Sequence, residues 1–291
     1  MNRPDTLPDT LPATLPAAFI ELPLPDVAGW AAVFDRRDIP VLAATEAKLQ
    51  DLAEHEDTAD AHLLAETVSD DPLMTLKLLR HVAALRAGRD QTDAETAVEA
   101  LVMLGITPFF RAFQAQPVIE STLAGHPVAL EGVRSVLRRS HRAAHFAMGF
   151  AVHRYDHDAS LIHQAALLHD FAELLLWAHA PGLAQCIARR QHDEPGLRSA
   201  DAQQAVLGIA LSDLQQALMK AWRLPALLVQ IADDRHSSLP QVRNVQLAIR
   251  LARHSALGWD NPAMPDDVAA IADLLNMGIT PTRQLLHRLN S

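Results

Sequence analysis

From Pro40 onward apolar side chains return every three or four positions, beginning with Val41, Leu42, Leu49 and Leu52, with Thr45 in the same register. That spacing lays side chains along one face of an α-helix. Ala59 to Val68 reads as a second, shorter helix. Ser69-Asp70-Asp71-Pro72 then signals another start: an acidic cap followed by proline at the first helical position, where its missing N–H is no loss. Leu73, Leu76, Leu79 and Arg80 lie on the helix that follows. Thr96 to Leu104 predicts a helix closed by Gly105, and Thr107-Pro108 opens the next with Phe109, Phe110 and Phe113. Gly125-His126-Pro127 breaks the pattern and marks a boundary between two lobes. Beyond it, helices are expected around Leu130 to His153, Ala159 to His179, Pro181 to Gln191, Ser199 to Ile209 and Leu211 to Trp222. Others follow from Pro225, over Asn244 to Ala256, Pro265 to Asn276 and Pro281 to Leu289. No stretch sustains the apolar–polar alternation of a strand, so the expected fold class is all-α.

Upstream, Asp5 to Pro16 reads Asp-Thr-Leu-Pro twice and then Ala-Thr-Leu-Pro. Proline at this density forbids a helix, so residues 1–25 are expected to be a flexible tail, and Trp30 to Phe34 a short first helix. The expected organisation is an N-terminal helical lobe over 26–125, a second helical lobe over 126–260 and a C-terminal helical extension over 261–291.

Composition sharpens this picture. Hydrophobic residues make up 49% of the 291, enough for a large core, while aromatics are only 4%. The apolar content is dominated by alanine and leucine, which suits closely packed helices. A net charge of -10 argues against nucleic-acid binding. A single cysteine, Cys186, excludes an intrachain disulfide and fits a reducing compartment. No apolar run approaches the roughly 20 residues that span a bilayer, and the start Met1-Asn2-Arg3-Pro4-Asp5 lacks a signal-peptide core. A soluble cytoplasmic protein without a membrane partner is expected.

The most suggestive chemistry is His169-Asp170, set in the apolar run from Ala165 to Leu174. Imidazole nitrogen and carboxylate oxygen both suit divalent ions, and metal-dependent phosphohydrolases use such a dyad. Two side chains supply too few ligands alone.

Several segments together resemble the HDOD family, the HD-related output domain of bacterial signalling proteins. Ile39-Pro40-Val41-Leu42 resembles the family's opening, and Asp71-Pro72-Leu73-Met74 with the helix to Arg80 resembles its Asp-Pro-x-Leu start. Ala97 to Gly105 resembles its Ala-x-x-x-Leu-Gly segment. Later, Ala166-Leu167-Leu168-His169-Asp170 is similar to Gly-Leu-Leu-His-Asp, and Trp222-Arg223-Leu224-Pro225 to Trp-Gly-Leu-Pro. Each motif is short; their ordered recurrence over roughly residues 36 to 255 carries the resemblance. It implies a two-lobed helical fold, an N-terminal bundle followed by an HD-like lobe, related to the HD phosphohydrolases.

The resemblance also allows the metal set to be checked. A working HD hydrolase needs a histidine before the dyad, further histidines after it and a final aspartate. The family spacing puts Arg139 at the first position, and a guanidinium cannot ligate a cation. His141 and His145 are four apart, yet His141 lies roughly 200° around the helix from Arg139. Leu207 to Asp213 holds no histidine. The later His-His pair appears as Arg235-His236, preceded by Asp233 and Asp234, and Asn244 to Ala256 offers Arg250, Arg253 and His254 but no aspartate. The expected remnant site is therefore His169, Asp170, Arg139, His236, Asp233 and Asp234, with no catalytic residue, no metal and no cofactor. Any ion would have to use His169 and Asp170, with Asp233 or Asp234 as a second carboxylate if either reached His169. The dyad is expected at a helix–helix contact, hydrogen-bonded to its neighbours.

Arg134, Arg138, Arg139 and Arg142 form a basic run that could grip an anion or an acidic partner. His55, His62, His81, His126, His157 and His192 stand singly and read as surface residues, and Cys186 as a buried, inert thiol. No glycine-rich phosphate loop is present. The expected function is a non-catalytic signalling module acting through contacts with unidentified signalling proteins. The competing readings are a divalent-metal phosphohydrolase acting on a nucleotide or cyclic dinucleotide, and a sensor that binds a nucleotide between the lobes without cleaving it.

Overall fold

The computed structural model describes residues 18–55, 60–86, 94–194, 196–256 and 258–290. Among them the chain runs through α1 (Val27–Arg36), α2 (Ala43–Glu54), α3 (Ala61–Asp70), α4 (Pro72–Arg86), α5 (Ala97–Leu104), α6 (Ile106–Ala112) and α7 (Ile119–Thr122). It continues through α8 (Pro127–Arg154), α9 (Ala159–Leu168), α10 (Phe171–His179), α11 (Pro181–Asp193), α12 (Ser199–Leu207) and α13 (Leu211–Ala221). α14 (Ala226–Ile231), a 3-10 turn at Asp234–His236, α15 (Pro240–His254), α16 (Met264–Leu275) and α17 (Ile279–Leu289) complete it. The fold is all-α. One isolated bridge, Val41 to Val118, is the sole extended pairing among the described residues. Among the described residues, no helix is long and apolar enough to cross a membrane.

The 28-residue α8 is the spine, about 42 Å long at the standard helical rise. α9 and α15 pack along it. Fully buried alanines meet at this junction: Ala143, Ala144, Ala147 and Ala151 of α8, Ala165 and Ala166 of α9, Ala248 and Ala252 of α15. Small side chains let the axes approach closely, which is how the alanine-rich composition becomes architecture. Phe146 and Phe150 stack beside them, ring centroids 6.4 Å apart.

The earlier helices are tied on by specific polar contacts. Asp71 is fully buried and caps α4, accepting from the N–H of Leu73 and Met74, while its other oxygen takes the N–H of Leu42. Burial pushes this carboxyl upward in pKa despite those donors. Gln164 of α9 reaches across to α5, accepting from Ala97 N–H and donating to the Glu95 carbonyl. α1 packs against α13, far away in sequence. There Asp35 accepts from the Trp222 indole at 2.8 Å, and the Arg80 guanidinium, 4.8 Å above that ring, reaches Asp35 as well. The Trp-x-Leu-Pro segment, the end of α1 and the middle of α4 thus meet at one joint.

Of the expected tail, residues 1–17 lie outside the described residues. Residues 18–25 do make contacts: Ile20 N–H donates to the His179 carbonyl, and the Phe19 ring meets His126 edge-on. Two expectations are corrected. Ala159 to His179 is two helices, broken at the dyad, because Asp170 is recruited into ion pairs described below and the backbone turns there. Cys186 is exposed, on the outer face of α11, because Leu183, Ala184 and Ile187 supply that helix's buried face instead. His81 and His126 are half-buried, whereas His55, His62, His157 and His192 are exposed.

Candidate functional site

His169 and Asp170 form the two-residue turn between α9 and α10. Asp170 stands at the N-cap of α10, yet its carboxylate makes no capping bond to that helix. Both oxygens are engaged elsewhere. Oδ2 accepts from Arg139 Nε at 2.6 Å, and Oδ1 accepts from Arg253 Nη2 and His169 Nδ1, each at 3.0 Å. Arg139 Nη2 also donates to Glu173 at 2.6 Å. The dyad therefore sits where α8, α10 and α15 converge: α8 and α15 each send an arginine to the Asp170 carboxylate, and Glu173 of α10 holds the first of them.

The electrostatics follow from this crowding. Asp170 is buried, which raises a carboxyl pKa, but the charges of Arg139 and Arg253 and the His169 contact outweigh burial and hold it well below the usual range. His169 lies between Asp170 and Asp234, with Nε2 at 3.4 Å from Asp234 Oδ1. Burial disfavours its protonation, yet the two carboxylates prevail and raise it to about 9. Each ring nitrogen faces a carboxylate oxygen, an arrangement that favours the doubly protonated ring. Asp234 is lowered: its own burial is outweighed chiefly by His169.

Beside this knot lies a cleft of about 240 Å³ between α10, α12, α13 and the turn at Asp234. Asp170, Glu173, Asp213, Asp233 and Asp234 line it, facing His169, Arg235 and Arg253. Gln216 lies there too, its amide nitrogen donating to the Ala232 carbonyl and its buried oxygen unpartnered. A second hollow of about 290 Å³ shares Glu173 and Arg253 and adds Arg139 and Trp177.

The expected site residues divide in two. His169, Asp170, Arg139 and Asp234 are brought into direct contact. Asp233 lines the cleft but bonds Arg235 through both oxygens, and His236 turns to Asp233 at 3.4 Å, not to His169. Among the described residues, no three His, Cys, Asp or Glu side chains are grouped to hold a metal ion. At the dyad both imidazole nitrogens face carboxylate oxygens, and two guanidinium groups stand against the Asp170 carboxylate.

The basic run on α8 is also corrected: it is not one patch. Arg134 and Arg138, four apart, share an exposed face with Glu131, at 3.9 and 2.7 Å. Arg139 turns into the dyad. Arg142 reaches the Ser255 hydroxyl and the Asn290 side chain, anchoring the C-terminal extension. Helical rotation of about 100° per residue separates Arg138 from Arg139, whereas Arg142 is drawn off by its partners at the end of α15 and at the chain end. His141 sets its two nitrogens against the Leu137 and Asp70 carbonyls, linking α8 to the end of α3.

Sequence reasoning noted Arg253 only for not being an aspartate, and passed over Glu173 as a partner. The one available signal was the charge of Arg253 itself, on the helix expected to close the site.

A family model for the HDOD domain matches residues 39–238. Among solved structures, the chain is similar to the MmoQ response regulator from Methylococcus capsulatus str. Bath, with a TM-score of 0.63 and 19% identity. That match covers 86% of this chain and 98% of the other. It is also similar to a virulence factor from Campylobacter jejuni subsp. jejuni, TM-score 0.60 and 18% identity, over 91% and 92% of the two chains. At these identities the likeness concerns the fold alone. No curated protein matches the chain.

Proposed function

The chain belongs to the HDOD domain family, and from that premise we propose that it is a non-catalytic regulatory module of signal transduction, acting through contacts with other proteins. The reading is carried by one observation: the carboxylate of Asp170 is filled by Arg139, Arg253 and His169. In an HD hydrolase a divalent cation stands against this carboxylate. Here guanidinium and imidazolium supply the positive charge, hold no open coordination position and cannot activate water. The HD site is degenerate in this sense, and its residues do not fit a metal. The dyad retains a structural task, joining three helices.

Two further features support the reading. The MmoQ protein, similar in fold, is described as a response regulator. On α5, Val98, Val102 and Met103 are exposed, apolar surface of the kind that partner proteins cover.

Metal analysis of protein purified without chelator is the direct test, paired with assay against mononucleotides and cyclic dinucleotides. The expected result is metal well below one equivalent per chain and no hydrolysis. One tightly bound iron, manganese or zinc per chain, lost in His169→Ala together with a phosphohydrolase activity, would overturn the proposal.

A further inference from the structure

On the far side of the His169–Asp234 pair from the acidic cleft lies a groove of about 430 Å³ along α15. Its charge is of the opposite sign. Arg243, Arg250 and Arg253 line it with His169, and Asp234 is its one lining carboxylate. Arg243, Gln246, Arg250 and Arg253 follow spacings of three, four and three, which place them on one helical face. A protein of net charge -10 thus concentrates three arginines on a single concave strip.

Each guanidinium is anchored from behind through Nη2. Arg243 bonds Asp273 at 2.6 Å, Arg250 the fully buried Asp267 at 2.5 Å, and Arg253 Asp170 at 3.0 Å. The Nε and Nη1 donors of all three make no other hydrogen bond among the described residues. Guanidinium groups held in place with donors to spare form a preorganised anion site, because little side-chain freedom remains to be lost on binding. The volume falls within the roughly 300–1,000 Å³ of small-molecule sites.

We propose that this groove binds a small phosphorylated ligand through Arg243, Arg250 and Arg253. Planar guanidinium forks match phosphate oxygens. The adjoining cleft, lined by five carboxylates, repels such a ligand and confines it to the α15 side. Because the Arg253 guanidinium also holds Asp170 through Nη2, occupancy of the groove is coupled to the joint between α8, α10 and α15. The binding site goes beyond the regulatory reading and does not depend on it.

Isothermal titration calorimetry of the full chain with pyrophosphate and with ADP, at matched ionic strength, tests the site. Both should bind. Arg243→Gln should weaken binding about tenfold, the loss of one charge-assisted contact, with Arg243→Lys recovering part of it. Arg243 lies at the groove's outer end against the exposed Asp273, so its variant should keep the ligand-free melting temperature. Arg138→Gln, on the other basic face, should leave binding unchanged. Equal affinity for the two anions assigns the groove to the phosphoryl group alone, and tighter ADP binding adds the nucleoside; either supports the proposal. No heat with either anion up to millimolar concentration, or equal weakening by Arg138→Gln, overturns it. So does an oligonucleotide that binds more tightly than ADP. Turnover of ADP would overturn the regulatory reading and leave the binding site standing.

Discussion

At Asp170 a buried carboxylate meets three cations, and the cost of removing one partner follows from what remains. Asp170→Asn leaves Arg253 without its hydrogen-bonded counter-ion and Arg139 with Glu173 alone. Breaking a buried pair in this way costs about 3–5 kcal/mol, to be read from urea unfolding at neutral pH. His169 adds a pH dependence of definite sign. Its folded pKa of about 9 stands above the ordinary 6.5, so its stabilisation is complete below pH 6.5 and is lost as pH rises toward 9. The ceiling is about 3 kcal/mol, at 1.36 kcal/mol per pKa unit. Asp170 and Asp234, both lowered, act oppositely: their stabilisation holds above the ordinary carboxylate pKa and is lost on acidification. Urea midpoints should therefore fall between pH 6.5 and 9 in the wild type and stay nearly level there in His169→Asn. An equal slope in the variant would remove His169 as the cause.

Among the helices, α8 determines most of the packing because three of its faces are used. One face carries the alanines against α9 and α15, another Arg139, and a third the close approach of α10. At Gly132 a Cβ would fall 2.5 Å from the Trp177 ring. The ring is rigid and nearly buried, so Gly132→Ala should displace α10 and cost about 1–3 kcal/mol, as overpacking does. Near-ultraviolet circular dichroism should register the moved indole. A variant as stable as the wild type, with an unchanged aromatic spectrum, would show that α10 can shift freely. The break between α9 and α10 belongs to this scale too. Periodicity ran unbroken through Leu167, Leu168, Phe171 and Leu174, so the sequence suggested one helix. The turn at that point coincides with the ion pairs of the Asp170 carboxylate to Arg139 and Arg253, partners that the linear pattern does not show.

The whole molecule is held by contacts distant in sequence, such as Gln164 on the α5 terminus and Trp222 with Asp35 and Arg80. Gln164 is buried and satisfies both a donor and an acceptor on the segment leading into α5. Gln164→Leu should cost about 1–3 kcal/mol through the two stranded backbone groups, with hydrogen exchange accelerated in α5 and unaltered in α16. Exchange that rises uniformly would mean that the α5 anchor is no local joint. The amino-acid sequence by itself determined the helical class, most helix starts and the family, because spacing, caps and short motifs are local and survive without knowledge of neighbours. The cap of α4 at Asp71-Pro72 and the turn at Gly105 are examples: both depend on residues within one turn, although Asp71 also reaches Leu42. The sequence also places arginines at 139 and 235, where the family resemblance leads one to expect histidine. What only the tertiary structure decided is where charge is placed. Arg139 and Arg142 are three residues apart, yet one neutralises Asp170 and the other ties down the chain end. Arg253, distant in sequence, completes the dyad and also borders the α15 groove. Such roles depend on which helices converge, and a linear pattern records a charge without its partner.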